Sequence, residues 1–428
     1  MKVALLSLAL ASLAESVALS TGPSSPSQNQ QPGNKAFTLE QITNTGYKGH
    51  DALAAFLKAH MKYGKGLPTE LQRALDSNKG LKQKYQSLLL QKDGPQKGTA
   101  QALPAAMYDS EYVVPVQIGT PPQTVPLNLD TGSSDLWTFS TDTNGASVNG
   151  QTLYKPKDSS TSKLQKNESW QIMYGDGAGA SGIVYKDRVS IGNTSVESQA
   201  VESAVQVSMS LTADQFSSGI LGLANSAANT VRPTHEKTYI DNIQSDLAQP
   251  VFTANLQKAR PGNYNFGYIN DAEYIKPIQY AALDARSPFW RITVSGYQVA
   301  NLSYKESPWN AIVDTGTSLI LAPKEIVQQY YSKLDGSQLD PQQGVVVFPC
   351  KNAPPDFFFG IASYRGRVPG NYMNYGSFNE SHCYGGIQSS EGLGFAVLGD
   401  VLLKAQFVVF DYGQARVGFA NKKTDSSR

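Results

Sequence analysis

The order of apolar and polar residues divides the chain into an N-terminal helical part and a longer part built from strands. Residues 51–63 place apolar side chains at helical spacing without Pro or Gly, and a second helix is predicted from about 69 to 90. Beyond about residue 103, short alternating runs rich in β-branched and aromatic residues are separated by Gly, Pro, Asn and Ser. This texture predicts an all-β body. The clearest predicted strands are 112–118, 125–129, 171–174, 183–191, 291–299, 344–348 and 406–411, with helices only at about 236–247 and 324–334.

The first twenty residues have the pattern of a signal peptide. Lys2 precedes an apolar run over residues 3–14, and small residues surround Ala18. The run is too short to cross a bilayer, and the alternative is a buried N-terminal helix. We therefore predict a signal peptide at 1–20 and a secreted, extracellular product with no membrane segment. Delivery to a vacuole is the less favoured destination.

The secretory route has two consequences for the rest of the chain. Cys350 and Cys383, the only two cysteines, are expected to form a disulfide. Four Asn-x-Ser/Thr triplets become candidate glycosylation sites. They begin at Asn167, Asn193, Asn301 and Asn379.

The N-terminal helical part and the β-rich part also differ in net charge. The 428 residues have a net charge of +1, but residues 21–102 carry 11 basic and 5 acidic residues, whereas 103–428 carry 24 and 29. A basic prosegment at 21–102 is thus predicted ahead of an acidic body. The body exceeds the size of one hydrophobic core, so two lobes are expected, at 103–280 and 281–428. There is no basic field for nucleic acid, and two Cys with four His leave little material for a metal site, so we expect neither metal nor cofactor.

The body contains a weak internal repeat. Asp130-Thr-Gly-Ser-Ser follows the apolar run VPLNL, and Asp314-Thr-Gly-Thr-Ser follows NAIV. Each is followed by an apolar-apolar-Gly triplet, at 220–222 and 397–399, which ends 92 and 85 residues beyond its Asp. Two copies of one order at similar spacing predict two related β lobes.

Paired Asp-Thr-Gly loops favour one kind of chemistry. If Asp130 and Asp314 meet at a pseudo-twofold axis, two like charges so close cannot both ionise and they share a proton. The ionised carboxylate can then activate a water while the protonated one polarises a carbonyl. That arrangement hydrolyses peptide bonds without a covalent intermediate.

These motifs give the chain a clear resemblance to a known family. It resembles the pepsin-like aspartic endopeptidases, most closely the secreted fungal group of penicillopepsin and aspergillopepsin, over about 110–421. The resemblance implies a bilobal all-β fold with a central substrate cleft and acid peptide hydrolysis by a monomer. The matching segments are DTGSSDLW at 130–137, YGDG at 174–177, ILGLA at 220–224, DTGTSL at 314–319 and FAVLGDVLLKAQFVVFD at 395–411.

The resemblance also implies individual roles around the catalytic Asp130 and Asp314. The threonines after them would link the two loops, and a hydroxyl two residues further on would bond each outer carboxylate oxygen. A hairpin flap would close over the substrate, its tyrosine hydroxyl near a tryptophan. The residues are Thr131 and Thr315 (links), Ser133 and Thr317 (hydroxyls), Tyr174, Gly175 and Asp176 (flap), Trp137 (flap contact), and Leu211, Phe289 and Trp290 (subsites).

Specificity follows from the flap sequence. An acidic residue at Asp176 is implied to help accept a basic P1 side chain, assisted by a neighbouring hydroxyl. Here Ala178 stands where the penicillopepsin-like pattern has Ser. We therefore expect large hydrophobic residues at P1 and only weak acceptance of Lys.

The predicted helix at 51–63 ends on Lys62-Tyr63. At this position the segment resembles the prosegments of pepsinogens. The hypothesis is that Lys62 reaches both catalytic carboxylates and, with Tyr63, blocks the site until acid loosens the prosegment. The alternative is a solvated basic helix that only assists folding.

Two other functions compete with a protease. A pepsin-like binding or inhibitor protein would lack an Asp or an intact flap sequence, but both are present. A two-carboxylate glycosidase would not need duplicated Asp-Thr-Gly. The glycine-rich run at 175–182 is no phosphate cradle, because it returns into a strand.

Overall fold

The computed structural model describes residues 33–42, 52–63, 66–89, 112–173, 179–212 and 215–422. The predicted signal peptide therefore lies outside the described residues, as do parts of the predicted prosegment.

Strands form most of the regular secondary structure of the described chain, which confirms the all-β prediction. Alternation sets the strand faces: in Val113–Ile118, Val114, Val116 and Ile118 are buried while Pro115 and Gln117 are exposed. The strands in chain order are β1 Phe37–Glu40, β2 Val113–Ile118, β3 Gln123–Asp130, β4 Leu136–Thr138, β5 Lys163–Met173, β6 Gly179–Ile191, β7 Thr194–Val207, β8 Gly219–Gly222, β9 Val251–Asn255, β10 Asn263–Phe266, β11 Gln279–Ala282, β12 Arg291–Val299, β13 Lys305–Val313, β14 Ile320–Ala322, β15 Gln338–Asp340, β16 Val345–Pro349, β17 Phe357–Ile361, β18 Tyr364–Val368, β19 Asn374–Ser377, β20 His382–Gly385, β21 Ile387–Ser389, β22 Ala396–Leu398, β23 Gln406–Asp411 and β24 Arg416–Asn421.

Helices are short and the longer ones precede the body. Within the body, the predicted helices at 236–247 and 324–334 are present but reduced in length. The helices are α1 Ala52–Tyr63, α2 Thr69–Ser77, α3 Lys79–Leu89, α4 Met209–Thr212, α5 Tyr239–Ile243, α6 Lys324–Tyr331 and α7 Asp400–Leu403, with 3-10 turns at Gly145–Ser147, Pro156–Asp158, Ser226–Ala228 and Gly370–Tyr372.

Helix α1 forms where its apolar spacing predicts. Its residues are mostly strong helix formers such as Ala, Leu, Met and Lys. Leu53, Phe56, Leu57 and Met61 recur at helical spacing and are buried against the body. Helix α1 is therefore packed onto the body.

The second predicted helix is divided in two. Asn78 takes an extended conformation between α2 and α3, and its side-chain oxygen accepts a hydrogen bond from the Leu81 backbone nitrogen at 3.0 Å. An asparagine in this role caps the start of a new helix, so the helical stretch predicted over about 69–90 is confirmed but consists of two helices.

Two seven-stranded sheets form the bilobal body. The first has the order β2-β3-β8-β4-β7-β6-β5 and the second β18-β17-β12-β13-β22-β14-β21. In the first, β3 runs parallel to β8, which pairs antiparallel with β4. In the second, β13 runs parallel to β22, which pairs antiparallel with β14. The two copies of the internal sequence repeat therefore have the same pattern of strand pairing.

A six-stranded sheet, β1-β10-β9-β23-β24-β11, joins segments far apart in sequence. Strand β1, from the predicted prosegment, forms its edge through antiparallel pairing with β10. The predicted lobe boundary at 280/281 falls inside β11, which pairs with β24 near the C-terminus. This sheet thus draws strands from both of the predicted lobe ranges.

A four-stranded sheet, β15-β16-β20-β19, carries the disulfide. Cys350 follows β16 and Cys383 lies in β20, with their Cα atoms 5.0 Å apart. The predicted pairing of the two cysteines is confirmed.

Candidate active site

The first Asp-Thr-Gly loop is held by the strand that ends in the first apolar-apolar-Gly triplet. Asp130 is the last residue of β3, and its carbonyl accepts from the Leu223 backbone nitrogen at 2.7 Å. A side-chain carbon at Gly222 would lie 2.6 Å from the Asp135 nitrogen and from the Ser133 carbonyl oxygen. Only glycine lets the strand approach the loop so closely.

The second loop is held in the same way. Asp314 follows β13, and its backbone nitrogen donates to the Leu398 carbonyl at 3.1 Å. A side-chain carbon at Gly399 would lie 2.2 Å from the Thr317 carbonyl oxygen and 2.3 Å from that of Leu319. The glycine of each triplet therefore supports the loop that carries the aspartate.

Two threonines join the loops at the centre of the molecule. The Thr131 and Thr315 backbone nitrogens donate to each other's hydroxyls, at 3.1 and 3.0 Å. The Thr131 hydroxyl donates to the Val313 carbonyl at 2.8 Å, and the Thr315 hydroxyl donates to that of Leu129 at 2.5 Å. All four bonds are buried, so the two loops are fixed relative to each other.

The two carboxyl groups lie beside the opposite loop. The backbone nitrogens of Gly132 and Gly316 donate to their own aspartates, Asp130 and Asp314, at 2.8 and 2.9 Å. A side-chain carbon at Gly132 would lie 2.6 Å from Asp314 Oδ1, and one at Gly316 would lie 2.3 Å from Asp130 Oδ1. The absence of a side chain at each glycine therefore leaves room for the carboxylate of the opposite Asp-Thr-Gly loop.

Hydroxyl groups bind the remaining carboxylate oxygens. Ser133 Oγ donates to Asp130 Oδ2 at 2.5 Å, and Thr317 Oγ1 donates to Asp314 Oδ2. The aspartates are 1% and 0% exposed, so these bonds orient carboxyl groups that are almost fully removed from solvent.

The C-terminal end of α1 occupies the site. Lys62 Nζ donates to Asp130 Oδ1 at 2.7 Å and to both carboxylate oxygens of Asp314 at 3.0 Å. The Tyr63 hydroxyl donates to Asp314 Oδ2 at 2.6 Å. One ammonium group therefore bridges two buried carboxylates.

Burial and this cation move the carboxyl pKa values apart. Burial raises the pKa of Asp130 above its ordinary value; Lys62 opposes the shift and the Asp314 charge adds to it. Burial would also raise the pKa of Asp314, but Lys62 and the hydrogen bonds of Thr317 and Tyr63 outweigh it and hold that pKa below the ordinary value. Burial disfavours the Lys62 charge, but the two carboxylates more than compensate and its pKa is raised.

Aromatic rings surround Tyr63. Its ring packs edge-on against Phe395, with centroids 5.1 Å apart, and against Phe289 at 6.0 Å. Phe289, predicted as a subsite residue, thus lies beside the carboxylates. Phe395 was missed, although it lies only two residues before the second apolar-apolar-Gly triplet.

Trp290 lies in the core. It is 4% exposed, its indole nitrogen donates to the Leu223 carbonyl at 2.9 Å, and its ring packs edge-on against Phe252, Phe410 and Tyr412. The side chain therefore packs in the core, and its predicted role in a subsite stays a prediction.

The predicted flap is described only along its strands. β5 and β6 pair antiparallel up to Met173 and Gly179, and the intervening Tyr174, Gly175 and Asp176 lie outside the described residues. Trp137 is 2% exposed, and its indole nitrogen has no hydrogen-bond partner among the described residues.

Leu211 packs against residues of the strands near the flap. The half-buried side chain contacts an apolar cluster that contains Trp137, Phe139 and Trp170. It therefore lies close to the strands that lead into the flap.

A buried histidine in α1 was also missed. His60 is 1% exposed, and its Nε2 lies 2.9 Å from the Ser389 carbonyl oxygen. The signal was its spacing: it follows Phe56 by four residues, on the face of α1 that packs against the body.

The described surface bears on partners and modification. Asn167, Asn193, Asn301 and Asn379 are all exposed. In the described ranges, no helix is long and apolar enough to span a membrane. No group of three or more His, Cys, Asp or Glu side chains in these ranges could hold a metal ion.

Comparison with known proteins agrees with this geometry. The profile of the family described as eukaryotic aspartyl protease matches residues 111–422. The chain is 43% identical to endothiapepsin of Cryphonectria parasitica, covering 94% of this chain and 93% of that protein. It is 42% identical to podosporapepsin of Podospora anserina (90% and 91% covered) and to penicillopepsin-1 of Talaromyces stipitatus (90% and 92%). The predicted class, a pepsin-like aspartic endopeptidase with a bilobal all-β fold, is confirmed, and the chain belongs to the eukaryotic aspartyl protease family.

Proposed function

We propose that Asp130 and Asp314 are the catalytic pair of a secreted endopeptidase that is made as a zymogen and acts at acid pH. The observation that carries the proposal is the bridging of both buried carboxylates by Lys62 Nζ. A cation placed there occupies the position in which a catalytic water would bind.

The chemistry follows once Lys62 leaves. Without the cation, two adjacent buried carboxyls cannot both ionise, so Asp130 and Asp314 hold one proton between them. The ionised carboxylate takes a proton from water as the water oxygen bonds to the peptide carbonyl carbon. The protonated carboxyl donates to the carbonyl oxygen. A proton then passes to the amide nitrogen, the C–N bond breaks, and a carboxylic acid and an amine leave.

Thr131, Thr315, Ser133 and Thr317 orient the pair in this proposal. The threonine hydroxyl links keep the loops in register, which holds the carboxyls at a fixed separation. Ser133 and Thr317 donate to the outer oxygens, so the inner oxygens face the water.

The predicted prosegment at 21–102 is proposed to inhibit the enzyme that it precedes. Lys62 and Tyr63 contact the catalytic pair, and the basic segment faces an acidic body. Acid protonates carboxylates on the body, which weakens this attraction and allows the segment to leave.

A preference for large hydrophobic residues is supported by the place of Tyr63. Phe289 and Phe395 enclose its ring directly beside Asp314, so a bulky substrate side chain can replace it there. Leu211 is proposed to line a further subsite.

The flap is proposed to close over the peptide through Tyr174, Gly175 and Asp176. The indole nitrogen of Trp137 lacks a partner among the described residues, which suits a bond to the Tyr174 hydroxyl. Since Ala178 offers no hydroxyl beside Asp176, Lys at P1 is accepted only weakly.

We further propose an extracellular monomer that carries glycans at the exposed Asn167, Asn193, Asn301 and Asn379. The signal-peptide pattern at 1–20 supports secretion.

Acid digestion of a peptide library, with and without pepstatin, tests the function. Cleavage between large hydrophobic residues that pepstatin abolishes is expected. Cleavage that resists pepstatin would contradict the mechanism. Equal rates for matched Lys-P1 and Phe-P1 peptides would contradict the specificity alone.

A further inference from the structure

Two acidic side chains are buried together behind the loop that carries Asp130. Asp135, five residues further along, is 2% exposed, and Glu202 of β7 is 1% exposed. Neither is part of the catalytic pair, and neither touches the prosegment contacts described above. Buried acidic groups are costly unless they are neutral or paired.

One amide joins the two carboxyl groups. Asn229 Nδ2 donates to Asp135 Oδ1 at 3.1 Å, to Glu202 Oε1 at 3.0 Å and to the Ser134 carbonyl at 3.2 Å. The Thr230 backbone nitrogen donates to Asp135 Oδ1 at 2.7 Å. The other Glu202 oxygen, Oε2, accepts from no donor in the described part of the chain.

A proton on the Glu202 carboxyl would remove the repulsion between the two acidic groups. Both carboxyls accept from the same Asn229 amide nitrogen, at 3.1 and 3.0 Å, and two carboxylates held so close repel strongly in a buried site. Asp135 already accepts from Thr230 and Asn229, which favours its ionised form. A protonated Glu202 can then donate to Asp135.

The surrounding charges favour the same assignment. Burial raises the pKa of Asp135, but the bonds from Thr230 and the positive charge of Arg232 oppose that shift. Glu236, which is paired with Lys186, faces Glu202 and disfavours a charge there. Burial, and then these neighbours, raise the pKa of Glu202 well above its ordinary value of 4.5.

The pair adjoins the catalytic loop through the backbone. The Asp135 carbonyl accepts from the Gly222 nitrogen at 2.9 Å, next to the bond between Leu223 and Asp130. On the other side, Glu202 is the register partner of Trp137 across the β4–β7 pairing. A disturbance at the carboxyl pair would therefore reach both Asp130 and Trp137 of β4.

We propose that Glu202 is a positioning residue whose proton, shared with Asp135, holds the Asp130 loop in place, and that loss of this proton inactivates the mature enzyme as the pH rises. The inference rests on the proposed function, since it assigns Asp130 to catalysis. The direction of the pH effect follows from the coupling between proton binding and folding. An acid whose pKa is raised by folding contributes stability that is present below 4.5 and is lost as the pH rises through its folded value.

The test uses Glu202→Gln, which keeps the size of the side chain and a donor to Asp135 but cannot ionise. The acid-processed enzymes are incubated between pH 5 and 8, returned to acid pH and assayed. This return separates structural inactivation from the reversible titration of the catalytic pair. The midpoint of inactivation should move up by about one pH unit or more in the variant.

Two further variants sharpen the test. Asp135→Asn removes the like charge instead and should move the midpoint in the same direction. Glu197→Gln changes a 71% exposed side chain of the same strand and should leave the midpoint unchanged. Unchanged midpoints in both E202Q and D135N, or equal losses of activity at every pH, would overturn the proposal.

The wild-type enzyme provides a measurement independent of activity. Its free energy of unfolding should fall as the pH rises from 5 to 7.5, and a flat profile would also overturn the proposal. Because this profile does not depend on catalysis, it separates failure of the inference from failure of the proposed function.

Discussion

Thr131 and Thr315 each donate a backbone N–H to the other's hydroxyl, at 3.1 and 3.0 Å, across 184 positions of sequence. Both hydroxyls then donate onward to the strand that enters the opposite loop. The arrangement is symmetric, so it sets the separation of the two aspartates from both sides at once.

Replacing Thr131 with Val should therefore damage both stability and activity. Val leaves the buried Val313 carbonyl and the Thr315 N–H without partners, at about 1–3 kcal/mol for each unsatisfied group. A shifted loop should also lower kcat/KM by about tenfold to a hundredfold. Thermal unfolding and peptide kinetics at acid pH measure the two effects.

Thr131→Ser is the matched control, because it keeps the hydroxyl. It should retain most of the stability and activity. If T131V and T131S behave alike, the hydroxyl link does not position the loops.

Lys62→Met in the precursor should weaken inhibition. The variant loses the charged bonds to Asp130 and Asp314 while keeping most of the side-chain length. The prosegment should therefore leave, and the precursor should process itself, at a higher pH than in wild type. Following precursor conversion on gels across a pH series measures this.

Lys58→Met changes an exposed lysine one turn earlier in α1 and should leave the conversion profile unaltered. An unaltered profile for K62M as well would favour the alternative that the helix serves only folding.

His60 should help acid to release the prosegment. Burial lowers the pKa of His60 from 6.5 to about 4, with the Ser389 and Gly66 carbonyls opposing the shift. A histidine with a lowered pKa is neutral when bound, so the packed prosegment loses stability as the pH falls from 6.5 toward 4. The loss should reach about 3 kcal/mol at pH 4.

His60→Gln can keep a donor to Ser389 but cannot take up a proton. Release of the prosegment should then require a lower pH, measured by the conversion series described for Lys62. His382→Gln, on the body in β20, is the control. If H60Q releases the prosegment at the same pH as wild type, the titration of His60 does not contribute to release.

Much of this architecture could be predicted from sequence because it depends on short-range patterns. Alternation marked the strands, and the repeat of Asp-Thr-Gly with its apolar-apolar-Gly triplet marked the two loops. The triplet glycines have a physical reason in the structure, since no side chain fits where Gly222 and Gly399 meet the loops.

Other features depend on contacts that no local pattern encodes. The shared sheet pairs β11 with β24 and β9 with β23, so a boundary drawn at 280/281 cuts through a strand. The resemblance implies a subsite role for Trp290, whereas its side chain is 4% exposed and packs in the core. Glu202 belongs to none of the predicted strands or motifs, and only the fold places it beside Asp135.

The most direct test of the account is the activity of Asp130→Asn against wild type at acid pH, with both enzymes processed by a separate protease. Asp271→Asn, at an exposed position paired with Lys276, is the matched control. The account predicts that kcat/KM falls by about three orders of magnitude or more in D130N, while D271N matches wild type. Wild-type activity in a folded D130N enzyme would contradict it.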